Sequence, residues 1–252
     1  SFSLFTRTLE VAGENSLVIN NLGSALASLG RTDEAMIYFA KGMRINPTKP
    51  DFYYNYGICL KDKGDNRNAA LYFKKAIALN PKHLKAYLGL GTIQSLAGNS
   101  DEAIKCIKNA LSIDQNNLDA HNNYGIILAK QGKYEAAITH FSFVIKRDPG
   151  NIRAMLNLSK TYQDAGLYNE AMIQYETLNK MTTKNKGYIY YGIASVYSQQ
   201  KKFKECENYL EAAQKDGFNV WEILKSDIRF KNFRESLVYE TFLQNHKKKS
   251  PH

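Results

Sequence analysis

The chain has 252 residues, 44% hydrophobic and 23% charged, with a formal net charge of +10. That composition suits a chain folding around a core and excludes the disordered and collagen-like classes. No apolar run reaches the length of about 18 residues that a membrane span needs, and the N-terminus lacks the basic, apolar, small-residue order of a signal peptide. The chain opens at Ser1 and not at methionine, which leaves room for an upstream leader or membrane domain. Residues 1–15 contain an apolar stretch, Phe2 to Val11, that reads as the second helix of an incomplete pair or as an N-terminal cap, with Phe5 at its centre.

From Ser16 onward the sequence falls into a 34-residue period. Gly23, Gly57, Gly91, Gly125 and Ser159 form one column, and Gly30, Gly64, Gly98, Gly132 and Gly166 a second. Ala35, Ala69, Ala103, Ala137 and Ala171 form a third, and Phe39, Phe73, Ile107, Phe141 and Tyr175 a fourth. A fixed period of this length marks a repeat architecture. Ile19, Leu22, Leu26 and Leu29 recur at three and four, which is one face of a first helix. Gly23 sits on that face and lets a second helix approach, against a propensity cost of about 1 kcal/mol relative to alanine. Gly30 falls where a left-handed C-terminal cap is needed. Thr32 with Asp33, and Ser100 with Asp101, are expected to start the second helices. Ala35, Phe39 and Gly42 then place small, large and small residues against the first helix, and Pro47, Pro81 and Pro149 close their units.

These residues resemble the tetratricopeptide repeat (TPR): a helix–turn–helix of glycine or serine, glycine, alanine, an aromatic and proline in that order. The resemblance implies an all-α, right-handed α-α superhelix (solenoid) of about six repeats, at 16–49, 50–83, 84–117, 118–151, 152–185 and 187–220. In the sixth, Ala194, Lys201, Cys206 and Leu210 replace the glycine, glycine, alanine and aromatic. Residues 221–245 are expected to form a C-terminal cap. Trp221 opens a short apolar segment to Leu224, Phe230 to Leu243 forms one further helix, and Asp227, Arg229, Lys231, Arg234 and Glu235 supply a polar outer face. Residues 246–252 read as a disordered tail.

Catalytic constellations are not found. His83, His121 and His140 are far apart, and neither HExxH, CxxC nor a phosphate loop occurs, so no enzyme, cofactor or metal is expected. Cys59, Cys106 and Cys206 lack close spacing and read as small apolar residues, which favours a reducing compartment and a cytoplasmic location. Residues 180–252 hold 14 Lys or Arg against 8 Asp or Glu, so the C-terminal end is the basic one. Without a nucleic-acid-binding motif beside it, that charge reads as solvated surface, and a nucleic-acid partner is not expected.

Function is expected two residues before the first glycine column: Asn21, Asn55, Gly89, Asn123, Asn157 and, after the one-residue shift, Gly192. Leu22, Tyr56, Leu90, Tyr124 and Leu158 beside them are core. The asparagines therefore face the inner, concave side, where each amide can donate to and accept from the backbone of an extended peptide. The column resembles the asparagine ladder in the repeat domain of O-linked N-acetylglucosamine transferases, which implies backbone recognition of a bound chain. Side-chain anchors are expected on the same stripes, at Tyr54, Lys61, Lys85, Asn122, Lys130, Arg153, Lys160, Tyr188 and Tyr191, with Asp51, Asp62, Asp119 and Asp164 among them. The first-repeat positions of the family's lysine and asparagine carboxylate clamp are here Asn20 and Ser24, so that clamp is not implied. The expected partner is a protein or extended peptide with acidic or aromatic character. The alternative is the substrate-recruiting or regulatory region of a larger enzyme such as a glycosyltransferase, whose catalytic domain lies elsewhere. Self-association through Phe5 or the basic end is a third expectation.

Overall fold

The computed structural model describes residues 15–183 and 186–247, and within them every regular element is helical. Six helix pairs follow one another: α1 (Ser16–Ser28) with α2 (Thr32–Ile45), α3 (Pro50–Asp62) with α4 (Asn66–Leu79), and α5 (Leu84–Leu96) with α6 (Ser100–Ile113). Then come α7 (Leu118–Lys130) with α8 (Tyr134–Arg147), α9 (Ile152–Asp164) with α10 (Tyr168–Met181), and α11 (Gly187–Gln199) with α12 (Phe203–Lys215). The fold is the all-α helical repeat that the period implies. The helix proposed at Phe2 to Val11 and the end of the tail lie outside the described residues.

The chain divides after Ile127 into two compact units. In unit 1 the core is built on the small and large columns, with Phe39 and Phe73 as the large residues of the first two pairs and Ile107 that of the third. Phe39 fills the space over Gly23, where an added Cβ would stand 2.6 Å from its ring. Phe73 does the same over Gly57 at 2.8 Å. Such contact distances exclude any side chain, which is why packing outweighs the helix propensity of the glycines. In unit 2, Ser159 takes the glycine position by turning its hydroxyl back onto Met155 O at 2.8 Å, so its polar atom is satisfied in the core.

The second glycine column ends the first helices as expected: Gly30, Gly64, Gly98, Gly132 and Gly166 have φ of 74° to 83°. In the sixth pair Lys201 holds the same left-handed conformation, at φ 59°, without being glycine. The second helices start at Thr32 and Ser100 as expected, but not through side-chain caps. Thr32 and Ser100 fall inside the first turn, and the capping residues Arg31 and Asn99 make no side-chain cap hydrogen bond. Side-chain caps occur instead at Asn15, Asp65, His83 and Asn151. His83 Nδ1 accepts from Ala86 N at 3.2 Å, and its Nε2 lies 3.5 Å from Asp51.

After α12 the chain turns at Gly217 (φ 86°) into α13 (Val220–Leu224), a 3-10 turn at Ile228–Phe230, α14 (Lys231–Arg234) and α15 (Leu237–Lys247). The single helix expected from Phe230 to Leu243 is thus broken, and α15 reaches two residues into the proposed tail. Phe230, Phe233 and Phe242 are fully buried with Ala194, Cys206, Leu210 and Ala213, and Trp221 stacks on Phe242 at 5.1 Å. The break lets three phenylalanines reach one core. Of the polar residues of this segment, Lys231 and Glu235 are exposed as expected, whereas Asp227 and Arg229 are only 10% and 20% exposed at their side chains and Arg234 donates to Leu224 O and Asp227 O. These last three hold the cap down and do not form its outer face.

Candidate functional site

The column of unit 1 that carries the asparagines runs along α1, α3 and α5. Asn21 is exposed on α1, and Asn55 on α3 is half-buried. Asn55 Nδ2 donates to Asn20 Oδ1 at 2.9 Å, so one rung is tied to the preceding first helix and not simply held out to solvent. Beside it Ser24, Ala27, Phe39, Tyr54, Asn55, Ile58 and Cys59 line a cavity of about 220 Å³. The phenol of Tyr54 is braced by the Phe73 ring at 5.8 Å and the His83 ring at 5.1 Å. Burial, then the charges of Asp119 and Asp62, push its hydroxyl above the ordinary tyrosine range, so it stays a neutral donor.

Gly89 is a gap in the column because Phe73 fills the place: a Cβ there would lie 2.9 Å from the ring. The aromatic that closes one repeat thus removes the rung of the next. Lys61 stands 3.5 Å from Asp62, which gives it a carboxylate neighbour, while Lys85 is exposed. Asn123 is half-buried on α7. Asn122 is only 4% exposed, so it belongs to the packing and does not present itself on the surface.

In unit 2, Arg153 and Lys160 are exposed on α9, Lys130 is exposed at the end of α7, and Asn157 is half-buried. Tyr188 is 51% exposed, whereas Tyr191, expected as an anchor, is 2% exposed. The cap covers it: Phe218 and Phe230 stand 4.9 Å from its ring, and its hydroxyl donates to Asp227. Burial and the neighbouring Asp227 raise the Tyr191 hydroxyl far above the usual tyrosine value. Burial works against the Asp227 carboxylate, but the hydrogen bonds and charge of Arg229 hold it below the usual range. Behind it, Gln163 donates to Ser195 Oγ at 2.9 Å and to Gln199. Gly192 is a gap for the same reason as Gly89, with Tyr175 2.5 Å from a Cβ built there. A second cavity, of about 590 Å³, lies at the turns between α7 and α8 and between α9 and α10, lined by Gly132, Lys133, Tyr134, Glu135, Ala136, Ile138, Ala165 and Leu167. None of the sequence-predicted site residues lines it.

Sequence reasoning missed that Asn20 and Phe39 help shape the unit 1 site. By its column Phe39 has only a packing role, yet its ring is deep enough to close the helix pair and still floor the cavity. Among the described residues no cluster of three His, Cys, Asp or Glu side chains could hold a metal, and no helix is long and apolar enough to cross a membrane. The three cysteines are buried, and burial raises their thiols, that of Cys59 to about 11, which keeps them protonated and unreactive.

Family comparison agrees with this architecture. Tetratricopeptide repeat profiles match residues 60–124 and 128–188, and 18–49 and 187–215. The chain belongs to the tetratricopeptide repeat family. No curated protein sequence matches it. Among solved structures, a chain of the APC/C hetero-tetramer Cut9–Hcn1 is similar at a TM-score of 0.79 and 16% identity, over 96% of this chain and 45% of that one. A tetratricopeptide repeat protein from Parabacteroides merdae ATCC 43184 aligns at 0.69 and 16%, over 92% and 90%. YrrB, described as a TPR protein with an unusual peptide-binding site, aligns at 0.55 and 21%, over 72% and 94%. At these identities the likeness carries the fold.

Proposed function

We propose that this protein is an interaction scaffold that seats an extended peptide along α1 and α3 of unit 1. The observation that carries the reading is the cavity beside Asn55. Its volume of about 220 Å³ exceeds the ~150 Å³ of an engineered apolar cavity that binds benzene. It therefore accommodates one aromatic or branched side chain, with Phe39, Ile58 and Ala27 as its apolar walls and Asn55 and Tyr54 at its polar rim. Asn55 spends one of its two Nδ2 hydrogens on Asn20, so its Oδ1 and its second N–H are what it offers a peptide, while the exposed Asn21 offers both functions.

Magnitude limits this site. Two asparagines at a net ~0.5–1.5 kcal/mol each and one buried anchor at ~1.5–3 kcal/mol give about 2.5–6 kcal/mol. A micromolar complex needs about 8 kcal/mol. A partner held at micromolar affinity therefore engages further residues, among which Lys85 and Asn123 are the candidates in unit 1. The YrrB description gives a family precedent for peptide binding.

The test selects peptides from a random library on the intact chain and measures them by fluorescence anisotropy against Asn55→Ala and Ser24→Trp. Ser24 is exposed at the cavity wall, so tryptophan there plugs the cavity without disturbing the core. Weakening by about tenfold in the plugged variant is expected. Selected peptides that bind the plugged variant as well as the parent would overturn the assignment.

A further inference from the structure

Unit 1 has a second surface, on the side of α2, α4 and α6 opposite their buried Ala, Phe or Ile positions. Arg44 on α2, Lys74 and Lys75 on α4, and Lys105 and Lys108 on α6 are all exposed. No Asp or Glu occurs within residues 37–45, 71–79 or 105–113. The helix dipole accounts for Arg44 in the last turn of α2, but α4 and α6 carry no basic residue in theirs. Their four lysines sit in the middle turns, where the dipole has faded. In unit 2 the corresponding stretches of α10 and α12 carry Glu176 and Glu211, so the segregation runs unbroken through every second helix only in unit 1.

The cations form one surface. The Tyr53 hydroxyl donates to Pro47 O, just beyond Arg44, and Lys75 Nζ stands 5.5 Å from the Tyr53 ring and 6.0 Å from that of Tyr72. The charges of Glu102, Lys105 and Lys74 all act on the buried Cys106 thiol, so the α4 and α6 lysines lie around one buried group, beside a single first-turn carboxylate. Two aliphatic side chains share this face: Ile37 is 66% exposed and Leu71 55%. Ile37 precedes Arg44 by seven residues and Leu71 precedes Lys75 by four, so each lies on the cationic side of its helix.

We propose that this face docks an acidic segment of a partner protein in which carboxylates are interspersed with apolar side chains. The carboxylates would meet the middle and last turns of these helices, which hold no acidic group, Asp33, Glu34, Asp101 and Glu102 being confined to the first turns, and the apolar residues would cover Ile37 and Leu71. A nucleic-acid backbone has nothing apolar to place on those two. A membrane-binding helix separates its cations from its apolar face, whereas here the two are mixed and the apolar share is too small to insert.

The probe is a fluorescein-labelled amphipathic peptide of Glu and Leu, titrated against the intact chain by anisotropy, with a Gln-for-Glu peptide as control. Lys74→Glu with Lys105→Glu should weaken binding about tenfold or more, and Ile37→Ser with Leu71→Ser several-fold. The Gln peptide should not bind measurably. All four positions are exposed, and far-UV circular dichroism verifies that the variants stay helical. Equal binding of the Gln peptide, or charge reversal without effect, overturns the proposal. So does tighter binding to phosphatidylserine vesicles or duplex DNA than to the peptide. Ser24→Trp should leave the titration unchanged, which separates failure of this face from failure of the cavity in the first helices.

Discussion

The Tyr191 hydroxyl donates a 3.0 Å hydrogen bond to Asp227 Oδ2, and the Arg229 guanidinium that pairs with the same carboxylate lies 5.6 Å from the Tyr191 ring. Tyr191 occupies in the sixth repeat the position that Tyr54 occupies in the second. One tyrosine rims an open cavity and the other is sealed beneath a 3-10 turn. A terminal repeat has no successor to bury its face, so the chain must supply a cover. Here the cover uses the position that in the second repeat belongs to the proposed binding stripe.

Asp227→Asn tests how much the seal contributes. The amide can still accept from Tyr191 but leaves the buried Arg229 without its countercharge, so a loss of about 1.5–3 kcal/mol in chemical denaturation is expected at neutral pH. The folded carboxyl lies below the usual range. Its stabilisation is therefore complete above the unfolded value of about 4 and disappears as pH falls through the folded value. The gap between parent and variant should close on acidification into that window. A constant gap down to about pH 2 would show that the substitution disturbs packing and not charge.

Gly89→Asn would restore the missing rung on paper. With Phe73 2.9 Å from the new Cβ, it should instead overpack the core and destabilise by about 1–3 kcal/mol. Thermal unfolding decides between the two readings. A variant as stable as the parent would mean that Phe73 yields and that a continuous asparagine column can be built.

The period, the buried columns and the helix pairs were legible because glycine, alanine and aromatic positions recur at fixed spacing. Gly89 shows where that reading stopped: spacing reveals an absent asparagine but not the ring of the neighbouring repeat that excludes it. Tyr191 and Asn122 share the register of Tyr54, yet the cap covers the first and close packing the second, and a positional column does not report what is folded over it. Asp227 and Arg229 read as surface by composition alone, because Tyr191 and Ser195, which they meet, lie 36 and 34 residues upstream in sequence. Asn20 was visible as a position. That its oxygen would accept from Asn55 followed only from the spacing of α1 and α3.

Lys201 carries the left-handed conformation that glycine carries in the five preceding repeats, with φ 59°. A side chain in this region costs about 1–2 kcal/mol relative to glycine, offset partly by glycine's greater freedom in the unfolded chain. Because Lys201 is exposed, Lys201→Gly should remove the strain at no packing loss and stabilise the sixth repeat by roughly 0.5–1 kcal/mol. Hydrogen exchange at the α11–α12 turn localises the gain. A melting temperature lowered by the substitution would show that the lysine side chain makes a contact worth more than the strain.

Asn20 and Asn55 allow stability and binding to be separated at one pair. Their 2.9 Å bond is partly buried, so a double-mutant cycle with alanine at each position should give a coupling of about 0.5–1 kcal/mol in unfolding. For peptide binding the two single variants should diverge. Asn55→Ala removes a rung and weakens the complex, whereas Asn20→Ala frees the Nδ2 hydrogen of Asn55 that Asn20 held and leaves its peptide-facing groups in place, so affinity holds or rises. Parallel losses in both variants would mean that the pair works as a unit, with Asn20 fixing the amide in the orientation the peptide requires. Unchanged affinity in both would remove the asparagines from the site and leave the cavity alone as its basis.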